Sequence, residues 1–240
     1  AGLAAIDINS RTITDWNPGV TGGAPYDMIK VGASLIIGGN FDTLAGANRS
    51  NLGAVNLNTG ALLSWNPGPD GTVYALGFPA SPYFFAGGSF SSVSGQPRSN
   101  LAVFSAMTGD LNAYAPDPNS YIYDIASDGG TVYFGGGFNA FDGATRTAGA
   151  ALNSVTLELL PFAPQIEGNV WHMEVFGNRL ILGGSLALFP GERKNFAAVD
   201  KISGEGLDSA ARFNAVVKTF VLDGDDVIAE RSPPPAIVLQ

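Results

Sequence analysis

One feature constrains this chain more than any other: a unit of 48 or 49 residues recurs along it. Gly-Gly-x-Phe appears as Gly38-Gly39-Asn40-Phe41, Gly87-Gly88-Ser89-Phe90 and Gly135-Gly136-Gly137-Phe138, then as Gly183-Gly184-Ser185-Leu186. The closing residues are separated by 49, 48 and 48 positions. Leu44 and Gly46 follow the first copy, Val93 and Gly95 the second, Phe141 and Gly143 the third, Phe189 and Gly191 the fourth. Arg49, Arg98, Arg146 and Arg193 keep step. So do two aromatic series: Trp16, Trp65, Tyr114, Phe162 and Phe213, and Tyr26, Tyr74, Tyr123 and Trp171. Self-similarity at a fixed period of this length is the signature of an array of supersecondary units.

Within one period the residues read as four short strands. Thr72–Phe78 is apolar and β-prone, Pro79-Ala80-Ser81-Pro82 is a turn, and Tyr83–Ala86 runs into the glycine pair. Asn100–Ser105 is a third strand, Met107-Thr108-Gly109 a hairpin turn, and Asp110–Ala115 a fourth strand. Asn58-Thr59-Gly60 and Ile202-Ser203-Gly204 match that turn. Helical periodicity is absent. Four strands in a period of about 45–50 residues describe a β-propeller blade. A blade is buried on both faces, so its strands are continuously apolar rather than alternating.

Leu3–Ile6 aligns with the third strand of a unit and Thr12–Pro18 with the fourth. Val216–Leu222 and Val227–Ala229, joined by an Asp-Gly turn within Asp223-Gly224-Asp225-Asp226, align with the first and second. The expectation is an all-β, five-bladed propeller of four-stranded antiparallel blades, its ring closed by N- and C-terminal strands that share one blade. One domain is expected over residues 1–230, with 231–240, including Pro233-Pro234-Pro235, a tail or linker. The chain opens on Ala1-Gly2-Leu3 rather than Met, which suggests a processed, trimmed or partial chain.

Composition narrows the function. Gly makes up 32 of 240 residues, against an ordinary ~7%. The net charge is −9, with 12 basic residues scattered almost singly, which argues against a nucleic-acid partner. With no Cys, disulfides and thiolate chemistry are excluded. There is no apolar run of membrane-spanning length, so no membrane span is expected.

The units resemble the delta-60 repeats of bacterial secreted and surface β-propellers. The resemblance rests on Trp65-Asn66-Pro67, Val73-Tyr74-Ala75-Leu76, Gly87-Gly88-Ser89-Phe90 and Gly95-Gln96-Pro97-Arg98-Ser99-Asn100-Leu101-Ala102, and covers nearly residues 1–230. The last unit departs from it, with Ile228-Ala229-Glu230 in place of the glycine pair. The resemblance implies part of a large extracellular or cell-surface protein and carries no catalytic residue.

One repeat position varies toward ionisable side chains. The residue after the second aromatic series is Asp27, Ala75, Asp124 or His172, with Thr219 at the matching place in the last unit. Asp27, Asp124 and His172 are therefore the candidate ligand-binding residues at a channel mouth, for a cation or a polar ligand. Solvated lining, or caps on strand ends, is the competing reading. One His, no Cys and two carboxylates make a poor metal site, so no metal and no cofactor is expected. The repeated Arg residues read as structural donors to strand carbonyls, and Trp16 and Trp65 as packing at blade junctions. The function expected is a non-enzymatic binding or structural module, presenting loops to a protein or glycan, within a longer chain or self-assembly. The alternative is a carbohydrate-active hydrolase or lyase using Asp27 and Asp124.

Overall fold

The computed structural model describes residues 2–188, 193–207, 215–223, 226–232 and 237–239. Phe189, Gly191, Phe213, Gly224, Asp225, Pro233, Pro234, Pro235 and the side chain of Arg193 lie outside the described residues. Two compact units form: Ala1–Phe78 with Pro82–Ala115, and Pro79–Ser81 with Pro116–Gln240. Every regular element among the described residues is a strand.

Each repeat folds into a three-stranded antiparallel sheet; in the first four sheets the strand that carries the glycine pair is in the middle. In the first unit these sheets are Pro25–Val31, Ser34–Gly39 and Leu52–Asn56, then Val73–Gly77, Tyr83–Gly88 and Leu101–Ser105. The second unit holds Ile122–Ser127, Thr131–Gly136 and Gly149–Asn153, then Ile166–Phe176, Arg179–Leu188 and Arg193–Asp200. Its last sheet is Val216–Asp223, Asp226–Ser232 and Ile237–Leu239.

The middle strands of the first three sheets are buried along their length after the first residue, for example Phe84–Gly88 and Val132–Gly136. Side chains on both faces lose water, which is why alternation is missing there. In the first unit Ile36, Leu52, Val73, Leu76, Phe84 and Phe104 form one core between its two sheets. In the second, Tyr133, Ile166, Val170, Met173 and Leu182 form one core, and Ile181, Phe196, Val217 and Phe220 another.

The glycine pair has two separate steric jobs. A Cβ on the first glycine would meet the following sheet: Val73 Cγ1 at 2.6 Å from Gly38, Val170 Cγ1 at 2.8 Å from Gly135, and Val217 Cγ1 at 2.9 Å from Gly183. A Cβ on the second would strike the leading strand of its own sheet. The carbonyl oxygens of Ala24, Thr72, Tyr121 and Asn169 lie 2.0–2.2 Å from the positions it would take on Gly39, Gly88, Gly136 and Gly184. Phe41, Phe90, Phe138 and Leu186 then turn inward and are buried. In the first three copies the glycine eight positions past the first of the pair closes a two-residue hairpin. Ala45-Gly46, Ser94-Gly95 and Asp142-Gly143 all have φ between 50° and 76°, the signature of a type I′ turn.

One expectation is corrected. The fourth strand is reduced to one bridge: Val55 with Leu62, Phe104 with Leu111, Leu152 with Leu159 and Val199 with Gly206. The chain runs on from there into segments such as Trp65-Asn66-Pro67, and proline has no N–H to continue a ladder. The last sheet takes its third strand from Ile237–Leu239. Val227, Ile228 and Ala229 pair with Leu239, Val238 and Ile237, while Ile6–Asp7 pairs with Thr12–Ile13. A β-prone Ile-Val-Leu run a few residues away closes a far shorter loop than a strand more than 200 residues distant. Strands run through Ser232 and over Ile237–Leu239, inside the span expected from the sequence to be a tail or linker. The Ala229-Glu230 departure from the glycine pair is accommodated, with Thr219 paired to the exposed Glu230.

Candidate functional site

The leading strand of each sheet carries a β-bulge at one repeat position. Register shifts fall between Pro25 and Asp27, Ile122 and Asp124, Val170 and His172, and Val217 and Thr219. In the second sheet Gly88 pairs with Val73 and Gly87 with Ala75. The expelled residues are thus the aromatics Tyr26, Tyr74, Tyr123 and Trp171, with Lys218 in the last sheet. A bulge leaves one residue unpaired and re-aims side chains. The residue after it is the position nominated from the sequence, now opposite the first glycine of the pair.

Those nominated side chains bind backbone of the following sheet. Asp27 accepts from the Met28 amide (2.7 Å) through Oδ1 and from the Leu76 amide (2.7 Å) through Oδ2. Asp124 does the same two repeats later, accepting from Ile125 N (2.8 Å) and Met173 N (2.5 Å). His172 sits against the edge of the Phe220 ring, 4.7 Å between centroids, and hydrogen-bonds the Phe220 backbone. Each of the three therefore reaches a residue one past its own repeat equivalent in the next sheet. Asp27 belongs to the first unit and Asp124 and His172 to the second.

Asp124 and His172 also meet directly, with Nδ1 3.0 Å from Oδ2. Burial of the imidazole works against its charge and is the largest single influence. The Asp124 hydrogen bond and charge, then Glu174 and the Phe220 backbone, outweigh it and hold His172 above its ordinary value. No group of three or more His, Asp or Glu side chains placed to hold a metal occurs among the described residues.

The repeated arginines have one role. Their guanidinium donates through NH2 to a carbonyl 14 residues on: Arg49 to Leu63 (3.0 Å), Arg98 to Asn112 (2.7 Å) and Arg146 to Leu160 (3.1 Å). NH1 donates to the preceding carbonyl, of Asn48, Pro97 and Thr145. The amides of Leu63, Asn112 and Leu160 donate to Ala54, Val103 and Ala151 of the third strand. The guanidinium thus satisfies the outward carbonyl of a segment that has no further strand to pair with. All three Nε atoms are buried with no partner, a cost accepted in each of the three described copies. Arg98→Lys keeps the charge and loses the two-pronged geometry. Faster amide exchange over 110–115 with unchanged exchange over Leu101–Ser105 is the expected result, read by hydrogen–deuterium exchange. Equal exchange in both proteins would remove this role from Arg98.

Trp65 donates from Nε1 to the Gly109 carbonyl at 2.8 Å and packs edge-on against Phe84 and Phe104. Trp16 packs with Leu35, Leu57 and Leu62, its Nε1 buried without a partner. A cavity of about 290 Å³ opens beside Trp65 and one of about 700 Å³ beside Trp16. Asp27 lines neither.

Sequence reasoning passed over one structural series. Asp7, Asn56, Asn153 and Asp200 each accept two amides of the turn that follows their strand, through Oδ1. The residue type varies between Asp and Asn, and Ser105 stands in the second repeat. The signal was an Asx residue two places before each turn.

No protein-family model matches the chain, and no curated protein matches it. Solved structures do. A computationally designed protein, Ika8, is 12% identical with a TM-score of 0.58, over 91% of this chain and 72% of that one. Sqt1 of Saccharomyces cerevisiae is 13% identical with a TM-score of 0.60, over 99% of this chain and 65% of that one. BamB from Moraxella catarrhalis is 16% identical with a TM-score of 0.51, over 88% of this chain and 56% of that one. These are β-propeller-like proteins, and the chain has a β-propeller-like fold. Among the described residues no helix is long and apolar enough to cross a membrane.

Proposed function

We propose that this chain is a five-bladed propeller domain of the delta-60 repeat type that acts as a non-enzymatic binding or structural module. It works outside the cell or on its surface, and presents loops to a protein or glycan. The observation that carries the reading is how Asp27, Asp124 and His172 are used. The acids and the imidazole that a hydrolase would need each hold backbone of the following sheet. A carboxylate engaged by buried amides is a poor general acid or nucleophile. Variable side chains on an over-determined scaffold suit recognition. The acidic, charge-poor composition supports an extracellular setting.

The test combines a glycan array and a panel of purified surface proteins with an assay for released reducing sugar. Saturable binding without product release, retained in Asp124→Asn, is expected. Release of sugar that Asp27→Asn or Asp124→Asn abolishes would overturn the reading in favour of a carbohydrate-active enzyme.

A further inference from the structure

Resting on that binding reading, we propose that Tyr26 and Tyr74 form a stacking platform for an uncharged saccharide. Both tyrosines are the extra residues of β-bulges, which lift their side chains out of the ladder. Their rings lie 6.0 Å apart and 25° from parallel, so Tyr74 braces Tyr26. Tyr26 keeps 52% of its surface exposed. A large aromatic surface held open to water by the backbone has no part in the core of its own unit.

Polar groups of the same two repeats have matching chemistry. Ser89 donates from Oγ to Tyr74 Oη at 3.3 Å. Ser89 and the exposed Asn40 occupy the same position in two Gly-Gly-x-Phe motifs. Asn40 Oδ1 accepts from the Ala24 amide, which fixes the orientation of its amide group. Phenols, a hydroxyl, a carboxamide and glycines offer donors and acceptors without formal charge. Tyr brings rigid contact area at low entropic cost, and Ser, Asn and Gly bring adaptable hydrogen bonding.

Asp27 lies in the leading strand next to Tyr26 and is a positioning residue. By accepting the amides of Met28 and Leu76 it ties one leading strand to the next, and so ties one tyrosine to the other. The platform is ordered before a ligand arrives, which lowers the cost of binding. A pyranose ring presents an apolar C–H face to a phenol and hydroxyls at its edge. The net charge of −9 disfavours acidic sugars, leaving neutral ones. A proline-rich peptide docks between aromatic walls, and two near-parallel stacked rings make a single platform instead.

Isothermal titration calorimetry with cellohexaose, mannohexaose and N-acetylchitohexaose tests this. Wild-type protein is expected to bind at least one. Tyr26→Ala and Tyr74→Ala should each weaken that binding by about five- to ten-fold, the loss of one aromatic stack. Tyr26→Phe, which keeps the ring, should stay close to wild type. Circular dichroism shows whether each variant stays folded, and the half-exposed Tyr26 makes its variant the safer one. If a hexasaccharide binds equally well to wild type and Tyr26→Ala, the platform is wrong while the binding reading stands. Binding of a proline-rich peptide, with none of the three saccharides bound, also overturns the platform. Hydrolysis of the saccharides would instead remove the binding reading itself.

Discussion

Gly88→Ala should lower the melting temperature of this protein by roughly 6–12 °C, more than any single exposed substitution. The added Cβ would lie 2.0 Å from the Thr72 carbonyl oxygen and 3.0 Å from Val73 Cα. Both obstacles are backbone of the neighbouring strand, so no side chain can swing away. The methyl group either breaks the pairing at the bulge or pushes the sheet apart, at a cost of about 3 kcal/mol or more. For a chain of this size each kcal/mol moves the midpoint by roughly 2–4 °C. Gly95→Ala is the proper comparison. Gly95 has φ +70° with nothing near its would-be Cβ. It should lose only the left-handed penalty of about 1 kcal/mol. Thermal unfolding followed by circular dichroism measures both. If the two variants melt together, close approach is not what selects the second glycine.

The second large effect is expected at Asp124. Asp124→Ala removes an acceptor shared by the amides of Ile125 and Met173 and by His172 Nδ1. Ile125 and Met173 are buried, so the amide aimed at the missing carboxylate has no easy recourse to water. Unmet donors in such surroundings cost about 2–3 kcal/mol in total. The loss should also depend on pH. His172 is held above its ordinary value in the folded protein, so it binds its proton more tightly folded than unfolded. Its contribution is complete below about pH 6.5, the unfolded value, and disappears as pH rises through the folded one. Asp124→Ala leaves burial, which opposes the imidazolium, and removes its main support. The His172 pKa should therefore fall, and the advantage of wild type should be larger at pH 5.5 than at pH 8.5. His172 is the only His in the chain, so one imidazole resonance in an NMR titration reports it. Asp27→Ala, at the equivalent place in the first unit, should destabilise without that pH dependence, since Ala75 stands where His172 does. An unmoved His172 titration in Asp124→Ala would sink this account.

How much was legible varied with the range of the interaction. Gly38-Gly39, Gly87-Gly88, Gly135-Gly136 and Gly183-Gly184 marked the middle strands because a missing Cβ is a local fact repeated at one spacing. Gly46 and Gly95 recurred at the same spacing, and the positive φ of Ala45 and Ser94 beside them came only with the structure. Arg49, Arg98 and Arg146 were visible as a series, but their acceptors, 14 residues on, were not. A carbonyl looks the same in every residue, and only the fold leaves those particular ones unpaired. Asp27, Asp124 and His172 stood out as ionisable against a regular template. A string of letters does not distinguish a carboxylate facing water from one facing the amide of Leu76 or Met173.

By itself, the sequence determined the repeat: its period, its all-β character, the burial of both faces of the middle strand and the places where backbone must approach backbone. Those follow from side-chain size and polarity at fixed intervals, which neighbouring residues alone express. The tertiary structure decided the rest. It reduced the fourth strand to single bridges held by arginine, placed Ile237–Leu239 beside Val227–Ala229 where Leu3–Ile6 was expected, and turned the channel acids into clasps between sheets. Strand pairing and hydrogen-bond satisfaction are choices among competing partners, and the competitors are brought within reach only when the chain has folded.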